Sequence, residues 1–303
     1  MPGAALVTGA RGFAGRHLVD RLQGDGHEVL APSSDELDLL DAERTLRFVA
    51  DAAPERVFHL AALASVGKSW EAPRRALFEN QEMALNVLDA VRMSAPSARV
   101  LLAGSGEVYG APSELPVSEV AHLRPQSPYA ASKVAADLLG ALYADVWQLN
   151  VVRTRAFNHA GPGQSDDYVI GTITRQIAEA EAAGEREVVV RTGNPDAARD
   201  FTDVRDVVAA YALAIDAPPG VYNVASGRAA TVRELVEIAR GQTAIGIRHE
   251  VDPARVRGHD VSEVRGVAAK LQRATGWQPQ IPLERTLADA LEHWRRALRA
   301  APA

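Results

Sequence analysis

Tyr129 and Lys133 stand four positions apart in "SPYAASK", residues 127 to 133, a run otherwise made of small side chains. In a helix, four residues turn the chain through about 400°, so a phenol and an ammonium leave the same face one turn apart. A tyrosine's ordinary pKa of about 10 is too high for ready proton exchange at neutral pH, and a neighbouring ammonium stabilises the phenolate. The expected chemistry is proton transfer, with Lys133 lowering the pKa of Tyr129. Only Lys68, Lys133 and Lys270 are lysines among 33 basic residues, so Lys133 stands out in a chain that otherwise uses arginine. The pattern alone is common, and a surface Tyr and Lys with no joint role is the plainer account. Its meaning depends on the rest of the chain.

Upstream, "TGARGFAG" sets Gly9, Gly12 and Gly15 three apart, between the apolar run "AALVTG" and the helical pattern "FAGRHLVDRLQGDG". Glycine permits a tight turn and lets the backbone approach a pyrophosphate facing a helix N-terminus. At the first strand-to-helix junction this spacing points to a dinucleotide. Further strand-like runs, "HEVLAP", "RVFHLAA", "ARVLLAGS" and "LNVVRTRAF", alternate with helical patterns, including 42–52, 71–95 and 128–147. That alternation predicts an α/β fold: a doubly wound parallel sheet of the Rossmann type over residues 1–156. After about residue 157 the pattern loses regularity and Gly and Pro increase, predicting a smaller α/β substrate-binding domain over 157–303. The segment 204–225 is expected to return to the first sheet.

The bulk properties narrow the classes. A length of 303 residues, with 47% hydrophobic and 24% charged, suits a soluble globular chain. A net charge of −6 argues against nucleic-acid binding, which needs a basic face. No apolar stretch approaches the ~20 residues of a membrane span, and no basic-then-apolar leader opens the chain. With no cysteine, thiolate catalysis, disulfides and cysteine-held metals are excluded. We expect a cytoplasmic protein with no metal site.

The G-x-x-G-x-x-G spacing, the Tyr-x-x-x-Lys pair and Ser105 in "VLLAGSGEVYG" together resemble the short-chain dehydrogenase/reductase superfamily, and the length fits its extended branch. The resemblance implies a nicotinamide cofactor and a catalytic set of Ser105, Tyr129 and Lys133, with Lys133 also holding the nicotinamide ribose. It places Gly9, Arg11, Gly12, Phe13, Gly15, Asp38, Leu39, Leu60, Ala61 and Ala62 at the cofactor, His59 in the core, and Asn80 in a structural role. Cofactor choice is set after the second strand, where a carboxylate serves the ribose 2′-hydroxyl of NAD. Aligning "GHEVLAPSS" puts Ser33 there. With no carboxylate at that spot and Arg11 nearby, NADP(H) is favoured. NAD(H) stays open, because a small register slip brings Asp35 into place.

"RAFNHAGPGQ" (155–164) is similar to a segment of GDP-4-keto-6-deoxy-D-mannose reductases, and "RDFTDVRDVVAAY" (199–211) and "YNVASG" (222–227) also look like nucleotide-sugar enzymes. The resemblance implies a GDP-linked sugar substrate contacted by Asn158, with Arg199 and Arg257 as phosphate-binding arginines suited by their planar, permanent charge. It also implies a homodimer through the helices near 71–95 and 128–147. Where dTDP-glucose dehydratases carry Thr-Asp-Glu, this chain has Ser105, Gly106 and Glu107, so the acid that protonates the departing hydroxyl is missing. Glu107 remains, and in GDP-mannose dehydratases the matching glutamate is the base. The leading expectation is reduction of a C4 keto group on a nucleotide sugar. A 4,6-dehydratase or 4-epimerase with tightly held NAD is the alternative among enzymes, and a cofactor-sensing regulator the alternative outside them.

Overall fold

The computed structural model describes residues 4–256 and 261–300. Its first half alternates strand and helix: β1 (Ala5–Thr8), α1 (Phe13–Gly24), β2 (Val29–Leu30), α2 (Ala42–Ala52), β3 (Arg56–His59), α3 (Val66–Glu71), α4 (Pro73–Ser94), β4 (Arg99–Ser105), α5 (Pro128–Trp147) and β5 (Asn150–Ala156). There follow β6 (Asn158–Ala160), α6 (Val169–Ala182), β7 (Glu187–Thr192), β8 (Ala198–Asp203), α7 (Val204–Ala214), β9 (Gly220–Val224), β10 (Ala229–Thr231), α8 (Val232–Arg240), β11 (Gly246–Val251), β12 (Glu263–Val264), α9 (Ala269–Thr275) and α10 (Leu283–Ala300).

Six strands form one sheet in the order β2-β1-β3-β4-β5-β9, every pairing parallel. The expected doubly wound Rossmann sheet is therefore present. Its inner strands are short apolar runs because both faces are covered. Helices α1, α7 and α9 pack on one face, around Leu18, Phe58, Leu101, Val207 and Leu271, and α2, α4 and α5 cover the other, around Leu6, Val57, Val87, Leu88 and Val151. The chain leaves β1 for β2 on one side and returns to β3 on the other. A crevice opens at that reversal, outside the carboxyl ends of the strands.

Two elements differ from the sequence reading. The run "HEVLAP" yields only a two-residue edge strand, ending before Pro32, which cannot donate to a ladder. The helical pattern over 71–95 is divided at Ala72: Pro73 opens α4, and the residue before a proline is pushed out of helical geometry, here to φ −136° and ψ 64°.

The second lobe is built from α6, α8 and α10 around Ile170, Ile173, Ile177, Leu235 and Leu287, with β6 and β8 reaching toward the cleft and β7 paired to β11. Helix α7 and strand β9 lie with the first sheet, and the stretch carrying Leu271 and Trp277 packs into the same core. Three buried aspartates of "RDFTDVRD" are structural. Asp200 accepts from the N–H groups of Ser226, Gly227 and Gly266 and from the Ser226 hydroxyl, Asp203 caps α7, and Asp206 accepts from Gln280 and Ile281. This joins the motif at 199–211 to the one at 222–227. Among the described residues, no helix is long and apolar enough to cross a membrane.

Candidate active site

"SPYAASK" begins α5 by two local devices. The Ser127 hydroxyl accepts from the Ala130 N–H at 3.0 Å as the N-cap, and Pro128 occupies the first helical position, where its missing N–H has no helical partner to lose. The first turn therefore presents Tyr129 and the second Lys133, both buried against the end of β4. Ser105, the last residue of β4, lies with them and accepts from the Glu107 N–H at 3.2 Å. Asn80 of α4 fixes the neighbouring loop, accepting from the Leu63 N–H at 2.7 Å and donating to the Ser132 hydroxyl at 2.9 Å. That oxygen in turn donates to the Tyr129 carbonyl at 2.7 Å.

The electrostatics correct the expectation that Lys133 lowers the phenol. Burial pushes the Tyr129 phenol above its ordinary value, with a Ser105 hydrogen bond opposing. Burial also brings Lys133 down to about 8. Its Nζ donates to the Ala103 carbonyl at 2.9 Å and stands 5.9 Å from the Tyr129 ring centre. Desolvation dominates for both groups, so the Tyr129 phenol is held above its ordinary range rather than below it. His59 is a core residue: its Nδ1 is 2.9 Å from the Thr8 hydroxyl, and burial first, then the Lys133 charge, lowers it to about 3.

A cleft of roughly 300 Å³ runs from the glycine loop to the second lobe. Of the residues singled out in the sequence, it brings together Gly9, Gly12, Phe13, Gly15, Leu60, Ala61, Ala62, Ser105, Glu107, Tyr129, Lys133 and Asn158. Gly9 has φ +72°, and a Cβ there would stand 2.7 Å from the Ala61 nitrogen. A Cβ on Gly15 would collide with the Gly9 carbonyl oxygen. No side chain caps α1, so its first N–H groups can face a diphosphate. A nicotinamide dinucleotide fits this cradle.

Arg11, Ser33, Asp38 and Leu39 are not among the residues lining this cleft. Ser33 is buried, and both its N–H and its hydroxyl donate to one Glu36 oxygen at 2.8 Å. Those two hydrogen bonds, with the Arg11 charge, hold the Glu36 carboxyl below its usual range. The position read as free of a carboxylate is thus faced by one, supplied three residues later. Asp38 is exposed and accepts from the Leu40 N–H at 3.0 Å, and Leu39 is buried.

The cleft also includes Phe157, His159, Gln164, Tyr168 and Tyr211. Phe157, His159 and Gln164 fall within "RAFNHAGPGQ" and Tyr211 closes "RDFTDVRDVVAAY", whereas Tyr168 lies outside both motifs. The His159 ring stacks on Phe13 at 5.9 Å with a 4° interplanar angle, tying the second lobe to the start of α1. Burial holds His159 low and raises Tyr168, and it pushes Tyr211 up to about 12. A Cβ on Gly106 would meet Phe157 ring carbons at 3.1–3.2 Å, so a side chain there would crowd the ring. The structure does not bring Arg199 into the cleft. Its guanidinium donates to the Ala198 and Val261 carbonyls at 2.9 and 2.7 Å, directing it along β8. Arg257 lies outside the described residues. Among the described residues, no three His, Asp or Glu gather as a metal site.

Comparison with known proteins gives a consistent picture. The family model described as GDP-mannose 4,6 dehydratase matches residues 33–290. The chain is 36% identical to a GDP-6-deoxy-D-mannose reductase of Pseudomonas aeruginosa, over 97% of this chain and 98% of the relative. Its structure is similar to that of RMD from Pseudomonas aeruginosa complexed with NADPH, at 33% identity and a TM-score of 0.85 over 97% and 99% of the two chains. The UDP-glucose 4-epimerase of Thermus thermophilus complexed with NAD is similar at 30% identity and a TM-score of 0.86, over 97% and 99%.

Proposed function

This chain belongs to the GDP-mannose 4,6-dehydratase family of extended short-chain dehydrogenases/reductases, and from that premise we propose that it reduces the C4 keto group of a GDP-4-keto-6-deoxyhexose. Reduction requires one hydride and one proton on a carbonyl. NADP(H), favoured over NAD(H) by the likeness to an NADPH-complexed relative, supplies the hydride when bound. Tyr129 donates its proton to the C4 oxygen, a role that suits a phenol raised by burial. Ser105 hydrogen-bonds the same oxygen, Lys133 holds the nicotinamide ribose, and Asn158 contacts the nucleotide-sugar diphosphate. We assign residues 1–156 to the dinucleotide and 157–303 to the sugar nucleotide, in a cytoplasmic homodimer.

The observation that carries the choice is Gly106 under the Phe157 ring. A 4,6-dehydratase must oxidise C4, eliminate water across C5 and C6 and return the hydride, so it needs an acid and a base beyond Tyr129. Position 106 carries no acid, and a side chain there would have to push the Phe157 ring aside by a few tenths of an ångström. Glu107 lines the cleft and keeps the dehydratase as the second reading, with Glu107 as the base. The test is steady NADPH consumption with GDP-4-keto-6-deoxymannose and no keto sugar from GDP-mannose alone, with Glu107→Gln lowering turnover only modestly. Dehydration of GDP-mannose without added cofactor, abolished by Glu107→Gln, would establish the second reading instead.

A further inference from the structure

The turn after β2 holds a carboxylate in an arrangement that the fold alone does not require. Leu30 pairs with Leu6 of β1, placing Ser33 beside the glycine loop, where the adenosine ribose of a dinucleotide lies in this fold. There Glu36 accepts from the Ser33 N–H and hydroxyl, and the positive charge of Arg11 is near enough to favour the carboxylate as well. A backbone N–H and a hydroxyl beside a positive charge are also what a phosphate monoester takes. The turn has other supports. The Ser33 carbonyl accepts from the Glu36 and Leu37 N–H groups at 3.1 and 2.9 Å, and Arg44 donates to the Asp35 and Glu36 carbonyls, both at 2.9 Å. The exposed Glu36 side chain can therefore leave while the backbone stays in place.

We infer that Glu36 sets this chain's choice between phosphorylated and unphosphorylated nicotinamide dinucleotides, its carboxylate standing as an internal counterpart of the 2′-phosphate. A 2′-phosphate reaches these donors only by turning the carboxylate out, against like-charge repulsion. A 2′-hydroxyl can donate to the carboxylate where it stands. Glu36 thus narrows the preference for NADPH over NADH that Arg11 and Ser33 would otherwise give. The inference rests on the dinucleotide-binding reading above and not on the identity of the sugar.

Nicotinamide fluorescence titrations with NADPH and with NADH, in the absence of any sugar, test it on the unaltered protein, Glu36→Gln and Glu36→Ala, with thermal unfolding of each as a control. Both variants are expected to raise the NADPH-to-NADH affinity ratio about tenfold, the scale of one hydrogen-bonded charge. An unmoved or lowered ratio in folded protein overturns the inference, including the case in which both cofactors weaken together because the turn has loosened. If neither dinucleotide binds the unaltered protein, this inference and the dinucleotide reading fall together. A moved ratio with no turnover on a GDP-keto sugar leaves the inference standing and removes only the sugar assignment.

Discussion

At the scale of residues, the site is governed by burial. Tyr129 keeps its proton because desolvation disfavours the phenolate, and Lys133 falls to about 8 for the mirror-image reason. Replacing Tyr129 with Phe removes the transferable proton but keeps the ring, so turnover should fall at least ~100-fold with cofactor binding little changed. Near wild-type turnover would refute the acid assignment. The pH dependence follows with its sign. Lys133 is an ammonium below about 8 and loses its charge as pH rises through that value, whereas Tyr129 stays protonated beyond it. The profile of kcat/KM for keto-sugar reduction should therefore decline on an alkaline limb near pH 8. A profile flat to pH 10 would separate Lys133 from the reaction.

The element that matters most is α5, because its position fixes both Tyr129 and Lys133. One turn beyond Lys133, the buried Asp137 carboxylate accepts from Arg153 at 2.7 Å and Arg155 at 2.6 Å, both on β5. Arg155 continues to the Tyr109 hydroxyl at 2.9 Å, which donates to Asn223 of β9 at 2.7 Å. Asp137→Ala leaves the buried Arg155 and the half-buried Arg153 without their counter-charge and should cost about 3–5 kcal/mol, measured by urea unfolding. A loss below 1 kcal/mol would mean that packing alone seats the helix. The sequence encodes what lies within a turn or two: the glycine triplet, the Ser127 cap, Pro128 and the Tyr129–Lys133 spacing were all legible there. Ser33-x-x-Glu36 is also local and has the spacing of a capping box, so it could have been read. Contacts made across the fold could not. Phe157 covers Gly106 from 51 positions away, Tyr211 enters the cleft from α7, and Arg199 turns to carbonyls fixed by the fold of β8 and its neighbours.

At the scale of the whole molecule, one surface is out of keeping with the rest. On α5, Leu138, Leu142 and Val146 follow at intervals of four, forming a stripe, and are 58%, 46% and 59% exposed. Phe78, Leu85 and Met93 of α4, which packs against α5, are 52%, 37% and 59% exposed. The buried side of α5, with Tyr129, Lys133, Asp137 and Tyr143, already serves the sheet and the site, so this outer stripe has no work within one chain. Two neighbouring helices presenting apolar side chains suit a two-fold contact, in which the same patch meets itself, and a stable one buries about 800 Å² per partner. We expect a homodimer at micromolar concentration by sedimentation. A glutamate introduced at Leu142 lies near its own copy across such an axis, so Leu142→Glu with Leu138→Glu should give monomers. None of the stripe's residues lines the cleft, so the monomers should still bind NADPH. A monomeric unaltered protein, or a dimer that survives both charges, would place the contact elsewhere.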